Sequence, residues 1–79
     1  MSVARLRWQC RRGMRELDVL LTRFLDESYP TADDAEKAAF ARLLELSDPE
    51  LIGYLLRGER ADEAVLERVL AQLRGNAAS

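Results

Sequence analysis

A chain of 79 residues, 48% hydrophobic and 33% charged, with four Gly and two Pro, has the balance of one small ordered domain and no room for a second. With no His and Cys10 as its one thiol, it excludes an internal disulfide, a structural zinc site, a Cys–His nucleophile pair and a thioredoxin-type motif. The net charge of -2 conceals a polarity: residues 1–15 hold Arg5, Arg7, Arg11, Arg12 and Arg15 and no acid, whereas the rest of the chain carries seven basic and fourteen acidic side chains.

Apolar residues recur at helical spacing throughout and nowhere alternate as in a strand, which predicts an all-α, compact five-helix bundle over residues 1–79. The first helix is expected from about Val3 to Arg11, with Val3, Leu6 and Cys10 on one side and Gly13 as its stop. The second, about Met14 to Glu27, sets Leu17, Leu20, Leu21, Phe24 and Leu25 on one stripe, and Tyr29-Pro30 breaks it. Asp33, Asp34 and Glu36 open a third helix to Leu46 that buries Ala39, Phe40, Leu43 and Leu44. Asp48 as N-cap, Pro49 and Glu50 then start a short fourth helix, carrying Leu51, Ile52, Leu55 and Leu56 inward and ending at Gly58. Asp62 caps a fifth that buries Val65, Leu66, Val69, Leu70 and Leu73 and closes at Arg74-Gly75, leaving residues 76–79 as a frayed tail. A core of this size leaves roughly 3 to 5 kcal/mol of net stability.

The segment from Trp8 to Glu16 is more than a helix junction needs. Arg11, Arg12 and Arg15, a Trp, a Met and an acid surround Gly13, where small polar turn residues suffice. Gly13 lacks a side chain and lets a partner's backbone come close, while Arg12 and Glu16 offer opposed charges to each other or to a partner. Two readings stay open: a Gly C-cap flanked by arginines that compensate the helix dipole, or an outward-facing contact surface. Trp8 and Met14 divide the same way, between core and interface anchor. The acids Asp33, Asp34, Glu36, Glu59, Asp62, Glu63 and Glu67 read as caps and solvated faces, with no pair set for acid–base work and no glycine-rich nucleotide turn. A soluble, cytoplasmic, non-catalytic binding protein is the expectation, with Cys10 a small apolar residue in a reducing compartment. The N-terminal arginines also allow a nucleic-acid-binding or adaptor module, against which the acidic remainder of the chain argues.

At these residues the sequence resembles the small SdhE (YgfY-type) family, which assists covalent attachment of FAD to succinate dehydrogenase. The family's Arg-Gly-x-x-Glu hallmark stands here as Arg12-Gly13-Met14-Arg15-Glu16, with Trp8 before it and Leu17-Asp18 after. The likeness continues through Phe24, Tyr29, Leu43-Leu44-Glu45, Asp48-Pro49-Glu50-Leu51 and Ala61-Asp62; Tyr54 departs from the Trp of many bacterial relatives. The resemblance implies a helical bundle, monomeric when free, that binds the flavoprotein subunit of succinate dehydrogenase, and of the related fumarate reductase. It implies no catalytic or metal-binding residue, no stably bound cofactor, no nucleic acid and no membrane insertion, the helper acting on FAD attachment in its partner. Gly13 would permit close approach, Arg12 and Glu16 would make polar contacts, and Arg5, Trp8, Met14 and Asp48 would extend the surface.

Overall fold

The computed structural model describes residues 3–78, all of whose regular elements are helical: α1 (Val3–Gln9), α2 (Arg15–Glu27), a 3₁₀ turn (Tyr29–Thr31), α3 (Asp34–Leu43), α4 (Asp48–Leu55) and α5 (Ala64–Ala78). The stripe on α2 is buried as its spacing requires, from Leu17 through Leu25. Helix α5 packs against α2, α3 and α4 through Val69, Leu70 and Leu73, while α1 lies along α2 and buries Leu6, with Cys10 buried just past its end. Phe24 of α2 and Phe40 of α3 meet with ring centroids 4.6 Å apart at the centre of the core. The chain fits within 28 × 28 × 25 Å.

The local signals act largely as their chemistry dictates. Asp33 accepts from Glu36 N–H at 2.8 Å and Glu36 Oε1 accepts from Asp33 N–H at 3.3 Å, a reciprocal box that opens α3. Pro30 ends α2, and the chain continues as the 3₁₀ turn, in which Tyr29 packs its ring 5.9 Å from Phe40.

Several ends differ from expectation. Helix α3 stops at Leu43 rather than Leu46, because Glu45 and Leu46 tighten onto the Arg42 and Leu43 carbonyls in i→i−3 bonds. The N-cap of α4 is Ser47, not Asp48: Glu50 N–H donates to Ser47 Oγ, and Ser47 N–H to Glu50 Oε1. Asp48 is thereby left for another partner. Helix α5 begins at Ala64 and continues through Gly75 to Ala78, since Gly75 does not take the left-handed conformation that would end it. Residues 76–78 are thus helical, and the end of the expected tail, residue 79, lies outside the described residues, as do residues 1 and 2. Val3 and Leu56, expected inward, are exposed at the ends of their elements, and Ile52, Val65 and Leu66 are half-buried. No helix among the described residues is long and apolar enough to cross a membrane.

Candidate partner-binding surface

The junction between α1 and α2 runs from Cys10 to Met14, and its two central residues have opposite fates. Arg12 turns inward, its side chain only 14% exposed. Nη1 donates to Leu46 O at 2.7 Å and to Asp48 Oδ1 at 3.3 Å, Nη2 donates to the Leu44 carbonyl, and Nε donates to Gln9 O at 3.1 Å. The guanidinium therefore satisfies carbonyls left over where α3 ends, at the negative pole of its dipole, and joins them to the first acid of α4. Gly13 turns outward at φ +78°, and a Cβ built there meets nothing within 4 Å. Its glycine is required by the backbone conformation, with open space above it.

The main chain of this junction is tied to α2. Arg12 N–H donates to Asp18 Oδ1 at 2.7 Å. Met14, the N-cap of α2, is extended and offers no side-chain cap, so Asp18 in the first turn supplies the negative charge at that helix start. Met14 itself is half-buried and packs against the core.

Around Gly13 the surface is apolar and charged at once. Trp8 is 76% exposed at the end of α1, and Arg5 is exposed one turn earlier. Glu16, Arg11 and Arg15 are exposed, and among the described residues their side chains form no ion pair or hydrogen bond. One groove beside Gly13 is lined by Arg11, Asp18 and Val19, a second by Arg15, Glu16, Val19, Leu20 and Leu56, and a third by Trp8, Gln9, Arg11 and Leu44. Val19 and Leu56, 48% and 41% exposed, form an apolar spot shared with Glu16. Cys10 beneath the junction is fully buried, and desolvation pushes its thiol up to about 11 against the opposing pull of Arg7 and Arg12. It offers no nucleophile at neutral pH.

The expected constellation is therefore divided. Arg5, Trp8, Gly13 and Glu16 face solvent, Met14 sits at the rim, and Arg12 and Asp48 meet each other at the seam between α1 and α4. Arg12 and Glu16 do not pair: all three guanidinium nitrogens donate to other acceptors, and Glu16 is exposed. Arg7 is likewise engaged, 2.7 Å from Asp26, which reduces the arginine cluster open to phosphates. Sequence reasoning gave no site role to Asp18, Val19 or Leu56, although Asp18 stands directly after the Arg-Gly-x-x-Glu motif. Val19 was detectable as an apolar residue off the buried stripe of α2, whereas carbonyl acceptors such as Leu44 O and Leu46 O leave no sign in a sequence.

Residues 4–77 match the family model described as flavinator of succinate dehydrogenase. The chain is 47% identical over 78 residues to the FAD assembly factor SdhE of Shewanella oneidensis, covering 99% of this chain and 95% of that one. It is 46% identical over 76 residues to the protein of the same name from Yersinia pseudotuberculosis, covering 94% and 86% of the two chains. With that of Pectobacterium atrosepticum it shares 40% identity over 68 residues, 86% and 77% of the two.

Proposed function

Since the chain belongs to the family of succinate dehydrogenase flavinators, we propose that it is a non-catalytic assembly factor that binds the flavoprotein subunit and promotes covalent attachment of FAD there. The observation that carries this reading is the surface around Gly13: an exposed tryptophan, a left-handed glycine with nothing above it, and the side chains of Arg11, Arg15 and Glu16, which have no partner among the described residues. These are properties of a face built to be covered.

In this reading the chemistry belongs to the flavoprotein, with which the lack of His and a buried thiol that stays protonated at neutral pH agree. What a helper of this kind contributes is differential binding. It raises the population of the conformation in which FAD and its acceptor side chain are correctly placed, by as much as it binds that conformation more tightly. Trp8 supplies the apolar anchor and Gly13 the close backbone approach, while Glu16 and Arg5 give orientation. Arg12 and Asp48 act from beneath, by holding the face rigid. Fumarate reductase's flavoprotein is a second partner under the same reading, and the free chain is a monomer of the cytoplasm that holds no FAD of its own.

The test uses Gly13→Arg and Glu16→Ala with the apo-flavoprotein subunit and FAD, reading covalent flavin by its fluorescence after denaturation. Both variants are expected to keep native helical circular dichroism and to lower covalent flavin severalfold. Covalent flavin at the wild-type level with both variants would overturn the proposal.

A further inference from the structure

We propose that Asp18 is a positioning residue for this surface: by accepting the Arg12 main-chain N–H it fixes the left-handed turn at Gly13 and so sets Trp8 and Glu16 in register for the partner. The inference rests on the partner-binding reading above.

Three observations carry it. The bond from Arg12 N–H to Asp18 Oδ1 is 2.7 Å long and spans the whole junction, from the residue before Gly13 to the first turn of α2. At the same residue, the Arg12 side chain is anchored to the Leu46 carbonyl and to Asp48. Arg12 is therefore held from both ends, by α2 through its backbone and by the α3–α4 linker through its guanidinium. The third is that α2 has no side-chain cap from Met14, so nothing else at its N-terminus reaches back to the junction in the way Asp18 does. With Arg12 fixed, the next peptide must take the turn seen at Gly13, and the angle between the end of α1, bearing Trp8, and the start of α2, bearing Glu16, follows. With Asp18 removed, the side-chain anchor still holds, but the peptide can rotate, and the turn becomes one conformation among several. The partner then binds a fraction of the molecules.

Asp18 is half-buried and lines the groove beside Gly13 with Arg11, so a direct charge contact to the partner is the competing role. Two conservative variants separate them. Asp18→Asn keeps the acceptor oxygen in place and loses the charge; Asp18→Glu keeps the charge and displaces the oxygen by a methylene. Binding to the purified apo-flavoprotein subunit is measured by calorimetry, well below the thermal midpoint of each variant. Positioning requires that Asn bind within about twofold of wild type and that Glu bind about tenfold more weakly, the loss of one charge-assisted hydrogen bond's ordering. Amide exchange at Arg12 should accelerate in Glu and not in Asn. The reverse ranking, with Asn weak and Glu near wild type, overturns the proposal in favour of direct contact, and equal binding by all three overturns it outright. Glu16→Ala serves as control: if it loses affinity while Asp18→Glu does not, this inference alone fails. If the wild-type chain does not bind the flavoprotein, the functional reading fails and takes the inference with it.

Discussion

The turns at Gly13 and Gly58 are built by the same device and do different work. Each glycine is left-handed, at φ +78° and +74°, and in each case a Cβ would enter open space. An arginine braces each turn through carbonyls: Arg12 on Leu44 and Leu46, Arg74 on Tyr54 at 2.9 Å and Glu59 at 2.5 Å. The difference lies in what surrounds them. At Gly58 part of the surrounding charge is paired, with Arg74 2.6 Å from Glu67, Arg57 3.5 Å from Glu59, and Ala61 N–H on Glu67 Oε1 at 3.0 Å, while Arg60 and Asp62 stay exposed. At Gly13 the braces lie underneath, and the exposed ring of Trp8 and the charges of Arg11, Arg15 and Glu16 are left to the outside. A left-handed glycine with an arginine brace is thus a way to turn a chain, and the exposed indole of Trp8 is what sets the Gly13 turn apart and supports the proposed contact surface there.

The comparison breaks first at the braces. Arg12→Ala leaves three carbonyls and Asp48 without their cation and should lower stability by about 2–3 kcal/mol in urea unfolding, a large share of what a core this small leaves. Arg74→Ala, with a more accessible side chain, should cost about 1–2 kcal/mol. After correction for the folded fraction, only the Arg12 variant should weaken flavoprotein binding; equal binding losses in both would mean that the two turns do not differ in function. At the next level, Gly13→Ala and Gly58→Ala should each cost about 1–2 kcal/mol from backbone strain alone, seen as matched shifts in thermal midpoint. Covalent flavin in the partner should fall for Gly13→Ala and hold for Gly58→Ala.

The smallest effect is a titration at the Gly58 end. The Arg74 guanidinium, and then the Ala61 N–H, hold the Glu67 carboxyl below its ordinary value of 4.5. The unfolded chain therefore binds this proton more readily, so the contribution is present above about pH 4.5 and fades as pH falls through the lower folded value. Glu67→Gln should flatten the acid limb of a stability–pH profile; a limb unchanged in slope would show that this brace is not the group responsible.

Much of the architecture was legible because periodicity reports burial directly. The stripes of α2 and α3 and the Val69, Leu70 and Leu73 part of α5 fall where their spacing puts them, and the Asp33–Glu36 box opens α3 as its composition implies. Helix ends were less legible, since they depend on competition among neighbours. Ser47 outbids Asp48 as a cap through its reach to Glu50, and Gly75 stays helical although Gly13 and Gly58 do not. The candidate surface was half legible. Its location showed in the clustering of Trp8, Gly13 and Glu16, but the inward course of Arg12 depends on carbonyls more than thirty residues away, and on α3 ending a turn early. No local pattern encodes such an encounter.

The position of Trp8 also decides how the molecule can be watched. It is the only indole in the chain and already stands largely in water, so unfolding changes its surroundings little and its emission is a poor gauge of melting. Docking against an apolar face changes those surroundings greatly. Under the proposed binding, the same ring that is blind to denaturation becomes a label-free optical sensor of capture, with no dye to disturb the contact it reports.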